Sequence, residues 1–114
     1  MPNSRGVCYV AFGENYAWQC LHSARSVRAV SDIPIHVFAN IELGPKWEAL
    51  GNVTVARVDG PDESNRGIKT DLINHTPFDE TLYLDTDTAV RSAAFLGGFD
   101  ELAEHDVAGA LWHY

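Results

Sequence analysis

Six apolar residues in a row, Val7-Cys8-Tyr9-Val10-Ala11-Phe12, run straight into Gly13. A strand with one wet face alternates polar and apolar side chains, so an unbroken run belongs to a central strand buried on both faces. The residues that follow supply the layers such a strand needs. Ala17, Cys20, Leu21, Ala24 and Val27 recur at helical spacing, predicting a helix from Glu14-Asn15 to about Val30. Ser31-Asp32-Ile33-Pro34 breaks it. Ile35–Ala39 reads as a second strand, and Pro45 opens a short helix through Leu50. Val53–Val58 reads as a third strand, residues 59–65 as a polar loop, and Gly67–Asn74 as a short helix closed off by Pro77. A fourth strand leads to Asp85, a helix interrupted by Gly97-Gly98 spans Ala94–Glu104, and a fifth strand begins at Asp106 and reaches Trp112.

Strands alternating with helices specify an α/β fold: a three-layer, mostly parallel, Rossmann-like sheet of about five strands with helices on both faces. The 114 residues suffice for one such domain, spanning 1–114, and not for two. Trp112-His113-Tyr114 reads as the end of a strand with no covering element after it. The expectation is a domain that is truncated, whose exposed apolar edge drives association of copies, most simply as a symmetric dimer.

Hydrophobic residues make up 46% of the chain and charged residues 21%, a globular balance. Acidic residues outnumber basic ones 16 to 8, for a formal charge of −8. That excludes broad electrostatic binding to nucleic acid or to an anionic membrane, and any anionic ligand must have its charge met locally. Apolar runs are only a few residues long, too short to span a bilayer, and Met1–Gly6 carries no apolar signal region. Cys8 and Cys20 fit no Cys-x-x-Cys pattern and fall on elements that read as buried, so free buried thiols and a reducing, cytoplasmic setting are expected.

The stretch Glu80-Thr81-Leu82-Tyr83-Leu84-Asp85-Thr86-Asp87-Thr88-Ala89-Val90 carries the chemistry. An apolar strand runs into two aspartates one residue apart, at the strand end where α/β proteins bind ligands. In an extended segment, positions i and i+2 point to the same side. Two carboxylates so placed repel unless a cation lies between them, and an oxygen-seeking divalent ion is the usual one. The plainer alternative is that Asp and Thr here simply serve as turn residues. If the strands are parallel, the end of the first strand, the opening of the first helix at Asn15-Tyr16 and the Asp85-Thr86-Asp87 end share one edge. Before the fourth strand lie Arg66 and Lys69, expected to be the nearest cationic groups to that edge. An aromatic face, a helix N-terminus, two cations and a metal site together suit a nucleoside diphosphate.

At these residues the chain resembles the nucleotide-binding half of a GT-A-type glycosyltransferase, nearest to the glycogenin and galactosyltransferase-like family 8. The matching pieces are Val10-Ala11-Phe12-Gly13-Glu14-Asn15-Tyr16-Ala17, Arg66-Gly67-Ile68-Lys69, Pro77-Phe78-Asp79 and Thr81-Leu82-Tyr83-Leu84-Asp85-Thr86-Asp87-Thr88. The resemblance implies a nucleotide-sugar donor, UDP-linked by family habit, and glycosyl transfer to an unknown acceptor. It assigns nucleotide binding to Ala11, Phe12, Gly13, Asn15, Tyr16, Arg66, Lys69, Asp85 and Thr86, with Tyr16 stacking on the base. It assigns Mn²⁺ or Mg²⁺ to Asp85 and Asp87, as a Lewis acid neutralising the departing diphosphate. Gly13 stands where members of that family often carry an acidic residue that contacts the base. The family's remaining metal ligand, often a histidine, falls beyond Tyr114.

Taken without the resemblance, Tyr16 is equally well explained by packing, and Arg66 and Lys69 by solvated surface charge. Trp18, Trp47 and Trp112 read as core or interface residues, and the five histidines show no metal-ligand spacing. Two other functions compete. Leu84-Asp85-Thr86-Asp87-Thr88-Ala89-Val90 also resembles the first motif of haloacid-dehalogenase-type phosphatases, with Asp85 as nucleophile and Asp87 as general acid/base. That chemistry needs its strand early in the chain and a lysine afterwards, and no lysine follows Asp87. A non-catalytic nucleotide-binding or structural domain is the remaining alternative.

Overall fold

The structure is a computed structural model and describes residues 4–58 and 75–97. Arg66, Lys69, the expected 67–74 helix, the fifth strand and the Trp112 edge with its expected self-association lie outside the described residues. The elements are β1 (Arg5–Ala11), α1 (Glu14–Arg28), β2 (Ile35–Ala39), α2 (Pro45–Glu48), β3 (Val53–Arg57) and β4 (Glu80–Tyr83), then a short 3-10 helix at Ala93–Gly97. Every strand pair is parallel, and the order is β3-β2-β1-β4. The fold is therefore α/β and Rossmann-like, as the alternating pattern predicts. The helix expected over Ala94–Glu104 differs: its described part is 3-10. Glycine is costly in a helix interior, and Gly97-Gly98 falls inside that span.

β1 lies against β2 on one edge and β4 on the other, with Tyr9 opposite Val37 and Cys8 opposite Tyr83. Its alternating side chains divide between two cores. Val7, Tyr9 and Ala11 join Cys20, Leu21, Ala24 and Val27 of α1 and Trp47 of α2. Cys8, Val10 and Phe12 join Phe38 on the opposite face, with Ala56, Val58 and Tyr83 packed around them. Val7, Cys8, Tyr9 and Phe12 are all at 0% exposure, so both faces of the strand are closed to water. Among the described residues both helices lie on the first face. The Phe78 ring lies against Gly6 on the second, where a Cβ would overlap it.

Cys8 and Cys20 are free and buried, and burial pushes the Cys8 thiol up to about 12, so it stays protonated and inert at neutral pH. Burial is also the larger of two effects that push the Tyr83 phenol to about 12, the other being its neighbour Cys8. Trp47 is a core residue, whereas Trp18 is 53% exposed. Trp18 stands off the apolar stripe of α1, edge-on to His22 and beneath the Lys46 ammonium. No described helix is long and apolar enough to cross a membrane.

Arg28, in the last turn of α1, secures the far end of the sheet. Its guanidinium donates to the carbonyls of Ser31 (3.0 Å) and Ile33 (2.8 Å) after α1, and to those of Gly51 (3.0 Å) and Asn52 (3.3 Å) before β3. Gly51 and Asn52 both have positive φ, a turn whose carbonyls converge on one donor fork. Hydrogen bonds from a charged donor contribute about 1.5–3 kcal/mol each when intact. Arg28→Met keeps the aliphatic stem and removes the donors. It is expected to cost about 2–3 kcal/mol in total, because water reaches part of the cluster, and to lower the urea midpoint at unchanged m-value.

His36 on β2 accepts or donates one hydrogen bond at Thr54 Oγ1 (2.6 Å) and meets the Phe38 ring edge-on. Burial lowers its pKa below 6.5. The unfolded chain therefore takes up this proton first. The contribution of neutral His36 is whole above pH 6.5 and is lost as pH falls from there through the lowered native value. Urea midpoints measured from pH 8 downwards should show this loss, and His36→Asn, which cannot titrate, should flatten that part of the profile.

Candidate functional site

The strand order reverses between β1 and β4: the chain builds outwards from β1 through β2 to β3, then returns to β1's other edge. Such a reversal opens a crevice beyond the carboxyl ends of the strands, where this class of sheet binds ligands. By that rule Gly13 and the opening of α1 would stand on one side of it and the residues after β4 on the other.

Gly13 has φ 87° and ψ 160°, a conformation that glycine adopts freely and other residues do not. Its N–H donates to Asn40 Oδ1 (2.8 Å) after β2, and its carbonyl accepts from Ala17 in the first turn of α1 (3.0 Å). No side chain caps the N-terminus of α1. Asn15 and Tyr16 are exposed there, and Tyr16, at 42%, is not a core residue. Ala11 and Phe12 are fully buried, one in each core, so the contact they can offer a ligand is through their backbone.

Asp85-Thr86-Asp87-Thr88 is a β-turn rather than extended strand, because the Thr88 N–H donates to the Asp85 carbonyl (3.2 Å). The Thr88 hydroxyl donates to the same oxygen (2.7 Å). Asp85 is half-buried and Asp87 exposed. Thr86 is 7% exposed and donates to Gln19 Oε1 of α1 (3.1 Å), so its hydroxyl is turned into the protein.

Sequence inspection overlooks what holds this turn. Gln19, Ser23 and Ser26 lie at i, i+4 and i+7 on α1, one polar line along the helix. They meet Thr86, Thr88 and the Val90 N–H in order: Gln19 with Thr86, Ser23 with Thr88 (3.2 Å), and Ser26 with Val90 (2.8 Å). Ser23, at 0% exposure, also bonds the Tyr9 hydroxyl of β1 (2.7 Å). The available signal was a serine in the middle of an apolar stripe, between Cys20 and Ala24.

For a divalent cation, the donor chemistry of the turn is suitable but incomplete. Asp85 and Asp87 offer hard oxygens, and among the described residues no group of three or more His, Cys, Asp or Glu side chains gathers. A magnesium-like ion held by one or two carboxylates completes its shell with water and substrate phosphates, so this set fits an ion that arrives with a diphosphate. Gln19 is five residues into α1 from Glu14, about 7.5 Å along the axis. The acidic turn and the uncapped helix end are therefore within the span of one nucleotide.

No protein-family model and no curated protein matches the chain. An acidic residue at position 13 would load a backbone that glycine alone adopts freely. Gly13→Asp is expected to cost about 1–3 kcal/mol of stability, readable as a lower urea midpoint.

Proposed function

We propose that this chain is a nucleotide-sugar-binding domain of the glycosyltransferase kind, taking a UDP-sugar for transfer to an acceptor. The observation that carries this reading is the acidic turn's position at the β1–β4 reversal, beside the exposed first turn of α1. In this reading Asp85 and Asp87 hold Mn²⁺ or Mg²⁺. When bound, the ion supplies Lewis-acid neutralisation of the diphosphate. The protein's own part is to orient. Tyr16 offers a ring to the base, the open amides of the first α1 turn face the phosphates, and the Gly13 backbone allows close approach. Glu14 in that first turn and the chain's −8 charge would repel a bare diphosphate, which is why the cation belongs to the same site. Arg66 and Lys69 are proposed to add positive charge on the nucleotide side. Buried free thiols suit a reducing, cytoplasmic compartment.

Calorimetric titration of Mn²⁺ with and without UDP tests the reading. Binding should be weak with Mn²⁺ alone and markedly tighter with UDP present, and Asp87→Ala should abolish that gain. UDP with Mn²⁺ should also raise the melting temperature more than adenosine or guanosine diphosphate does. Equal, negligible heats under both conditions would refute the site. Tight binding without sugar transfer would leave a non-catalytic nucleotide-binding domain.

A further inference from the structure

We propose that Tyr9, Ser23 and Thr88 form a one-directional hydroxyl chain that fixes the conformation of the Asp85–Thr88 turn. Its role as a positioning device for a cation and diphosphate rests on the function proposed above.

The direction follows from counting protons. Each hydroxyl has one to give. Thr88 gives its proton to the Asp85 carbonyl at 2.7 Å. In the 3.2 Å contact between Ser23 and Thr88, Ser23 must then be the donor. With the Ser23 proton so placed, the 2.7 Å contact with Tyr9 must run from the phenol to Ser23. The bonds thus run Tyr9 to Ser23 to Thr88 to the Asp85 carbonyl, from the centre of the sheet, across α1, to the first residue of the turn.

Burial makes the chain demanding. Tyr9 and Ser23 are at 0% exposure and Thr88 at 2%. An unmatched hydroxyl there has no water to turn to, so a partly satisfied network is worse than none. Phenylalanine at 9, alanine at 23 and valine at 88 would fill these positions without that penalty. The hydroxyls instead select one arrangement of the loop on the helix. Ser26 reinforces it, donating to the Ser23 carbonyl (2.5 Å) and accepting from the Val90 N–H (2.8 Å), while Gln19 accepts from Thr86. With Thr86 and Thr88 both tied to α1, the two aspartates between and beside them are set relative to the helix that also offers the open N-terminus. Metal and phosphate sites need such support to keep their ligands in place.

The test compares Thr88→Val, which keeps the shape and removes the hydroxyl, with Thr88→Ser, which keeps the hydroxyl. In the ligand-free full chain, amide exchange at Thr88 reports the bond that closes the turn. It should speed up on the order of tenfold in the valine variant and stay near wild type in the serine variant, with β1 and α1 amides unchanged. Tyr9→Phe, which removes only the distant donor, should have a smaller effect in the same direction. Ser23→Ala should match valine, and these two carry the test if Thr88→Val does not fold. Mn²⁺ affinity in the presence of UDP should fall on the order of tenfold in the valine variant and recover with serine. Valine and serine variants that exchange alike, or a valine variant that binds Mn²⁺ and UDP as tightly as wild type, would overturn the proposal. A wild type that fails to bind Mn²⁺ and UDP while the exchange contrast persists would refute the proposed function and leave the hydroxyl chain standing.

Discussion

β1 is hydrogen-bonded along both edges and shut off from water on both faces, and the other described elements take their positions from it. A parallel strand in that position has no polar side chain to spare, because neither face offers solvent. Tyr9 is the exception that the structure uses. Its ring fills the first core, and its hydroxyl meets the Ser23 hydroxyl of α1. The same strand therefore organises the apolar packing and starts the polar connection to the acidic turn.

α1 has two functions on two stripes of its surface. Ala17, Cys20, Leu21, Ala24 and Val27 bury against the sheet, and Gln19, Ser23 and Ser26 receive the chain that follows β4. A helix with only the first stripe would pack equally well but would leave the loop after β4 without a defined path. At its C-terminal end Arg28 gathers four carbonyls from two connections, so the end of the helix remote from the crevice is also tied to the sheet. The crevice is thus bounded by a helix held at its remote end and along its side, with its first turn left open.

Electrostatics set the terms on which an anion could enter. The chain carries a net charge of −8, and the described part of the crevice adds Glu14, Asp85 and Asp87. A helix N-terminus is a modest attraction against three carboxylates. Under the proposed function, a diphosphate and this turn are compatible only with positive charge between them, so the two aspartates are proposed to share a cation with it and not to contact phosphate directly.

Apolar patterning and turn residues determined the order of the described elements and the kind of all but the last, which is 3-10 where an α-helix was expected. The run Val7–Phe12, the α1 stripe and Ile35–Ala39 are visible as hydrophobic spacing, because burial on one or two faces leaves a local signature, while Val53–Arg57 reads as a strand from its β-branched residues although it is half-buried to exposed. The acidic pair was equally visible, since it interrupts an apolar strand. Its shape was left between an extended segment and a turn: Asp85–Thr88 is a turn because Thr88 reaches back to the Asp85 carbonyl, and Ser23 on a helix sixty-five residues away holds it there. Trp18 falls off the α1 stripe in the sequence, but its contacts with Lys46 and His22 appear only in the structure. Hydrogen bonds between distant side chains carry no periodicity. Tertiary structure alone decided which hydroxyls meet, and hence how the two aspartates are held at the strand-order reversal.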